Sequence, residues 1–134
     1  MEQAGNWRRK RLRPARHHVL MTRALDRIGV RYCDYFMFYN KHDQLQYLDI
    51  VIKRKHGLAV ILWNRRKYTK FDKSRKWSRS GLKQYEKINR DRKREYLEEK
   101  GIPYRRMNRE HSSEEFMIIV RNWLRALDKQ DKVL

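Results

Sequence analysis

The sequence predicts a three-layer α/β domain, in which a central mixed sheet of about four strands is flanked by helices. Three strand-like stretches between residues 30 and 63 are preceded by one helical pattern and followed by two more. A further short strand pattern separates the last two helices. Strands bracketed in this way by helices are typical of a sheet covered on both faces. The length of 134 residues suffices for one such core.

The first helix is predicted over residues 16–28, and Gly29 ends it. Residues 1–14 are polar and basic and end in Pro14, so we expect them to form a flexible arm. The single domain is predicted to span residues 15–128, with 129–134 as a tail. One stripe of the first helix is apolar and consists of Leu20, Met21, Ala24, Leu25 and Ile28.

Three strands follow, the first being the aromatic stretch 30–40, which ends in a turn at 40–43. The second and third, QYLDIVIK (46–53) and GLAVILW (57–63), are joined by the short basic turn RKHG. Because GLAVILW alternates too little for a surface strand, we expect it to be central and covered on both faces.

The C-terminal half predicts a helix, a strand over 102–107 and a final helix. Gly101 ends the first of these helices, and Pro103 lies just beyond it. Its apolar stripe comprises Leu82, Tyr85, Ile88, Tyr96 and Leu97. SSEE (112–115) is a capping box that opens the last helix, whose apolar stripe comprises Phe116, Ile119, Val120, Trp123, Leu124 and Leu127.

The charge of the chain indicates a polyanionic partner. Lys and Arg total 35 against 16 Asp and Glu, which gives a formal charge of +19. Such an excess destabilises a compact domain unless a polyanion neutralises it, and nucleic acid is the obvious candidate. No lipidation motif and no unpartnered basic amphipathic helix indicates a membrane partner.

The compartment is expected to be intracellular and reducing, because Cys33 is the lone cysteine and has no partner for an internal disulfide. The N-terminus lacks the apolar region of a signal peptide, although its arginines also fit a mitochondrial transit peptide. Cytoplasm or nucleoid, or a nucleus or mitochondrion in a eukaryote, are therefore the expected locations.

The segment 64–79 carries the clearest functional signal, because eight of its residues are basic and one, Asp72, is acidic. Cations neutralise phosphates, and aromatic faces stack on unpaired bases. The alternative is a solvated loop whose aromatic residues anchor it to the core. The predicted contacts are Arg65, Arg66, Lys67, Tyr68, Lys70, Lys73, Arg75, Lys76, Trp77 and Arg79.

Two further basic groups are predicted to extend this interface. The arm could enter a minor groove or folded RNA, with a nuclear-localisation signal or a disordered tail as the alternatives. Its basic residues are Arg8, Arg9, Lys10, Arg11 and Arg13. Near the last strand the candidates are Arg105, Arg106 and Arg109.

Three stretches together resemble the restriction-endonuclease-like fold, and most closely the very-short-patch mismatch-repair endonucleases and their small domain relatives. They are ALDRIGVRY, YLDIVIKRKHGLAVIL and NRDRKREYLEEKGIPYRRM, within residues 18–125. The resemblance implies a three-layer restriction-endonuclease-like domain that closes its own core, and hence a monomer outside any larger complex.

The resemblance also implies that Asp49 is a metal ligand. Such nucleases use several acidic groups around Mg²⁺, which activates a water and stabilises charge on the phosphate. The position of the second acid falls near Ile61, so a main-chain oxygen there or His18 would have to complete the site. Alternatively, Asp49 pairs with Lys53 or Arg65.

The degenerate catalytic positions favour a nucleic-acid-binding protein that is not an enzyme and has no cofactor, with DNA slightly preferred over RNA. One alternative is an active Mg²⁺-dependent endonuclease of the very-short-patch repair or homing type. Another is a small basic adaptor subunit of a nucleoprotein assembly, such as a phage, transposition or ribosome-like complex. Zinc and a nucleophilic Cys33 are disfavoured, because the histidines are scattered and the cysteine lies in an apolar strand.

Overall fold

The structure, a computed structural model, describes residues 15–64 and 79–133, and for 79–82, 132 and 133 it describes the backbone only. The predicted arm and residues 65–78 of the basic-aromatic segment lie outside these ranges. The elements in chain order are α1 (Arg16–Ile28), β1 (Arg31–Tyr39), β2 (Leu45–Arg54), β3 (Gly57–Trp63), α2 (Arg79–Glu99), β4 (Tyr104–Met107) and α3 (Ser113–Val133).

The described strands form one mixed sheet in the order β1-β2-β3-β4. The first three strands are an antiparallel meander, in which Val51 of β2 lies opposite Val60 of β3. β4 pairs with β3 in parallel, with Tyr104 opposite Val60. A parallel pair needs a long crossover connection, and α2 lies within it. The predicted α/β class and four-stranded mixed sheet are therefore confirmed.

Two apolar clusters lie on the two faces of the sheet. On one face, Met21 of α1 and Phe116 of α3 pack with Ile50 of β2. On the other, Leu97 of α2 packs with Val51 and other strand residues. Successive residues of β3 alternate between the clusters: Ala59 and Ile61 belong to the first, and Val60 and Leu62 to the second. The strand is central and covered on both faces, as its composition predicts.

The predicted ends of α1 and α3 are built from the expected capping residues. Gly29 adopts a left-handed conformation with φ of 86°, and its N–H reaches the carbonyls of Leu25 and Asp26. At α3, the N–H of Ser112 donates to Oε1 of Glu115 over 2.9 Å, and the N–H of Glu115 donates back to Oγ of Ser112 over 3.1 Å. Both side chains of the capping box are therefore engaged.

The prediction that the domain ends at residue 128 and is followed by a tail needs correction. The last helix, α3, continues to Val133. Arg54 of β2 explains the extension: its side chain is only 6% exposed and forms an ion pair with Asp131 of the last turns. A partner so far away in the chain is invisible to the local apolar pattern, which ends at Leu127.

The apolar stripe predicted for α2 is only partly correct. Leu97 is buried and Tyr96 packs beside it, stacking on Phe38 with ring centroids 4.0 Å apart. Tyr85 and Ile88 are 52% and 41% exposed, so these two side chains do not enter the core, while the side chain of Leu82 lies outside the described part of the chain. An open groove separates Tyr85 and its helical neighbours from the start of β2. Within the described residues, no helix combines the length and apolarity that crossing a bilayer requires.

Candidate functional site

Asp49 lies on the α2 side of β2, where the adjacent β3 ends. Its Oδ2 accepts a hydrogen bond of 2.9 Å from the backbone N–H of Trp63. Burial raises the pKa of Asp49, while the Trp63 N–H and the charge of Lys93 oppose the rise. The carboxylate is therefore held in place by the backbone of one strand and faces a cation from a helix.

Lys93 of α2 is the cation with the largest electrostatic effect on Asp49. Burial lowers the pKa of Lys93, and the charge of Asp49 works in the opposite direction. The Nζ atom also lies 4.7 Å from the centroid of the Tyr47 ring, close enough for a cation–π contact. Of the two partners predicted for an ion pair with Asp49, Lys53 is exposed, and the described cation with the largest influence on Asp49 is Lys93 instead. Arg65 lies outside the described residues.

A cleft of about 270 Å³ opens above Asp49, between the sheet and α2. The described residues that line it include three cations, Arg90, Lys93 and Arg106, and two acids, Asp49 and Glu86. Burial lowers the pKa of Arg106, and the neighbouring charge of Arg90 lowers it further. Positive charges that repel one another in a half-enclosed cleft favour the entry of an anion. The full lining is Tyr47, Asp49, Leu62, Trp63, Glu86, Asn89, Arg90, Lys93 and Arg106.

His18 lies behind the cleft rather than in its lining. The indole Nε1 of Trp63 donates to His18 Nδ1 over 3.2 Å, and since an indole N–H can only donate, Nδ1 is the acceptor. The other ring nitrogen, Nε2, then carries a proton and donates to Oδ2 of Asp34 over 3.3 Å. The ring of Tyr35, whose φ is 54°, stacks on the imidazole at 4.7 Å. His18 is 2% exposed, and it fixes Trp63 in position.

His17 packs on the other side of the same tryptophan. Its ring meets the Trp63 indole edge-on, with the centroids 4.5 Å apart. Burial, which has the largest effect, and the charge of Arg109 lower the pKa of His17 to about 4. Arg109 itself is tied to the end of β3, where its Nε donates to the carbonyl of Asn64 over 2.9 Å. His17 is therefore neutral at neutral pH.

The resemblance implies a metal site around Asp49, and the structure describes some of the acidic residues near it. Among the described residues, no three His, Cys, Asp or Glu side chains are grouped closely enough to hold a metal ion. Asp34 connects to Asp49 through His18 and Trp63. Glu86 of α2 lines the same cleft as Asp49. Asp72 lies outside the described residues.

The basic residues predicted near the last strand do not all lie on one face of the sheet. Arg106 lines the cleft, while Arg105 is exposed and, by the alternation of β4, points to the opposite face. Arg109 lies at the end of β3 beside Asn64. Arg79 is the first residue of α2. Arg105 and Arg106, which were predicted to extend one interface, therefore lie on different faces of the sheet.

A polar stripe of α2 lines the cleft, although the i,i+4 spacing of Glu86 and Arg90 in the sequence suits a solvated outer face of the helix. Glu86, Asn89, Arg90 and Lys93 follow one another at intervals of three or four residues, which places them on one face of a helix. That spacing was visible in the sequence. The spacing did not distinguish this face from the others, because the same helix is rich in charged residues on all sides.

Comparison with known proteins gives no significant match to a protein family, to a curated protein or to a solved structure.

Proposed function

We propose that this protein binds nucleic acid by holding a backbone phosphate in the cleft above Asp49. The observation that carries the proposal is the convergence of Arg90, Lys93 and Arg106 on one cleft. The three cations come from two elements, α2 and β4, that meet only in the folded protein. The formal charge of +19 supports a polyanion rather than a small anion as the ligand.

The electrostatics of the cleft support phosphate as the bound group. Burial lowers the pKa values of Lys93 and Arg106, which means that their charged forms are incompletely solvated. A phosphate between them would replace the missing solvation and screen the repulsion between Arg90 and Arg106. Binding of this kind releases counterions and weakens steeply as salt concentration rises.

The test is a binding titration of labelled duplex DNA, single-stranded DNA and structured RNA at several salt concentrations. Arg106→Gln removes a cleft cation, and Arg105→Gln is the matched control on the opposite face of the same strand. We expect Arg106→Gln to weaken binding and to reduce the slope of log affinity against log salt by about one, with a smaller effect of Arg105→Gln. Equal effects of the two variants, or no binding by the wild type, would overturn the proposal.

A second candidate is a Mg²⁺-dependent endonuclease, which the presence of Glu86 in the same cleft as Asp49 favours. Two carboxylates and the amide oxygen of Asn89 are donors of the type that Mg²⁺ takes, and the ion keeps several waters and binds substrate phosphates. When bound, the metal would supply an activated water and stabilise charge on the phosphate. Lys93 would hold the phosphate in place.

Cleavage assays with Mg²⁺ or Mn²⁺ separate the two candidates. An endonuclease cuts a labelled substrate, and Asp49→Asn and Glu86→Gln each abolish cutting while binding persists. A binding protein cuts nothing, and Asp49→Asn binds nucleic acid more tightly than the wild type because one negative charge has left the cleft.

A further inference from the structure

A second concave surface adjoins the cleft along the same helix. It is a groove of about 440 Å³ between the start of β2 and the first half of α2. The groove and the cleft share three lining residues, Tyr47, Asn89 and Lys93, so they form one continuous trough. The residues that line the groove are Met37, Gln44, Leu45, Gln46, Tyr47, Tyr85, Asn89 and Lys93.

We propose that this groove receives an unpaired nucleobase whose phosphate lies in the cleft, so that the preferred ligand is single-stranded or locally unpaired nucleic acid. The inference rests on the proposed function, because it uses the phosphate position. It adds a substrate class that the cleft alone does not specify.

Four of the eight residues that line the groove are apolar or aromatic, and they support a base as the occupant. Tyr85 is 52% exposed and Leu45 is 51% exposed, and they lie on opposite sides of the groove, on α2 and β2. Every base offers a flat π-face that stacks on aromatic side chains, whatever its sequence. In a duplex these faces are covered by neighbouring base pairs, and only an unpaired base can present one.

The polar groups of the groove divide into fixed and available ones. Gln46 is fixed, since its Nε2 donates to the carbonyl of Asn89 over 3.1 Å and its Oε1 accepts from Asn40 over 3.0 Å. Gln44 is fixed by contacts with Asn40 and Arg92. The side-chain amide of Asn89 makes no hydrogen bond to the other described residues. Such an amide carries both donors and an acceptor, which suits the edge of a base.

The position of Lys93 connects the two halves of the trough. Its ammonium group lies over the ring of Tyr47, at the point where the groove meets the cleft. A phosphate near Lys93 therefore has the cations of the cleft on one side and the aromatic groove on the other. A nucleotide has this same arrangement, with a charged phosphate next to a flat apolar base. The trough therefore complements a nucleotide in both charge and shape, which favours it over a peptide side chain.

The experiment measures the affinity of the full chain for three probes: a short oligothymidylate, an abasic strand of the same length and charge, and a duplex. Tyr85→Ala removes the exposed ring, and Tyr85→Phe keeps it. Tyr39→Ala is the matched control, because Tyr39 is 68% exposed on β1 and does not line the groove. Arg106→Gln reports on the phosphate position in parallel.

We expect Tyr85→Ala to weaken oligothymidylate binding about ten-fold and to leave duplex and abasic binding unchanged. Tyr85→Phe and Tyr39→Ala should bind like the wild type. An equal effect of Tyr85→Ala on all probes, or no effect on oligothymidylate, overturns the base pocket. If duplex binding still depends on Arg106 in that case, the proposed function survives; if no probe binds, both proposals fail.

Discussion

The indole Nε1 of Trp63 donates a hydrogen bond to Nδ1 of His18 over 3.2 Å, while the backbone N–H of the same residue donates to Asp49 over 2.9 Å. One tryptophan at the end of β3 thus connects α1 on one side of the sheet to the cleft on the other. Since His18 also contacts Asp34, the position of Asp49 depends on residues that never reach the cleft.

The first prediction concerns this connection. His18→Phe leaves the Trp63 Nε1–H without its acceptor, and we expect the free energy of unfolding to fall by about 1–3 kcal/mol. Trp63→Phe removes the donor instead. The double variant should lose less than the sum of the two single variants, because the second change has no bond left to break. Urea denaturation measures all three, and strict additivity would contradict the prediction.

Asp49 provides the second prediction, through two substitutions that separate its charge from its hydrogen bond. Asp49→Asn keeps an oxygen that accepts from the Trp63 N–H, whereas Asp49→Ala does not. We expect Asp49→Ala to be about 1–3 kcal/mol less stable than the wild type at neutral pH, and Asp49→Asn to be at least as stable as the wild type. Similar losses in both variants, measured by urea denaturation, would show that the charge rather than the hydrogen bond matters.

The pH dependence of Asp49 has a definite sign. Because burial raises its pKa in the folded protein, the folded state binds the proton more tightly than the unfolded state does. Its contribution to stability is therefore present at low pH and is lost as the pH rises through the raised pKa. Asp49→Asn should remove this part of the pH profile.

His17 gives the third prediction, with the opposite sign of pH dependence. Its pKa is lowered to about 4 from an ordinary value of 6.5, so the unfolded chain binds more protons between these values. The stability that depends on neutral His17 is present above 6.5 and is lost as the pH falls toward 4. His17→Gln should flatten the stability profile in this range, and His56→Gln, at an exposed turn, should not. Denaturation midpoints of the wild type and the two variants across this pH range test the prediction.

The fourth prediction concerns the last turns of α3. Arg54 is almost fully buried and pairs with Asp131. Oδ1 of Asp128 lies 3.9 Å from Nη2 of Arg54, and the Asp128 side chain is 52% exposed. Asp131→Ala leaves a buried guanidinium without its main partner, and we expect a loss of about 3 kcal/mol in the free energy of unfolding. Asp128→Ala should cost less than about 1 kcal/mol. Equal losses in thermal or urea unfolding would contradict this assignment.

Local sequence patterns predict the elements of this fold well. Gly29 ends α1 and the Ser112–Glu115 capping box begins α3, because both signals act within a few residues. The apolar run of β3 correctly predicts a strand covered on both sides, since neither face can tolerate a polar side chain.

The candidate site was harder to predict, because its contacts join distant parts of the chain. Lys93 rather than Lys53 faces Asp49, and only the packing of α2 on the sheet decides between them. Arg105 and Arg106 are neighbours in sequence and lie on opposite faces once β4 pairs with β3. The exposure of Tyr85 follows from a groove that no local pattern encodes.

The parallel pairing of β3 with β4 has a consequence for the order in which the chain folds. The antiparallel meander of β1, β2 and β3 needs only short loop closures, whereas β4 docks after a long closure that includes α2. Arg106 reaches the cleft only when this last strand is in place. A nascent or partly folded chain therefore carries the full positive charge before Arg106 joins Arg90 and Lys93 at the cleft, so any selectivity of the proposed phosphate site would arise only when β4 docks.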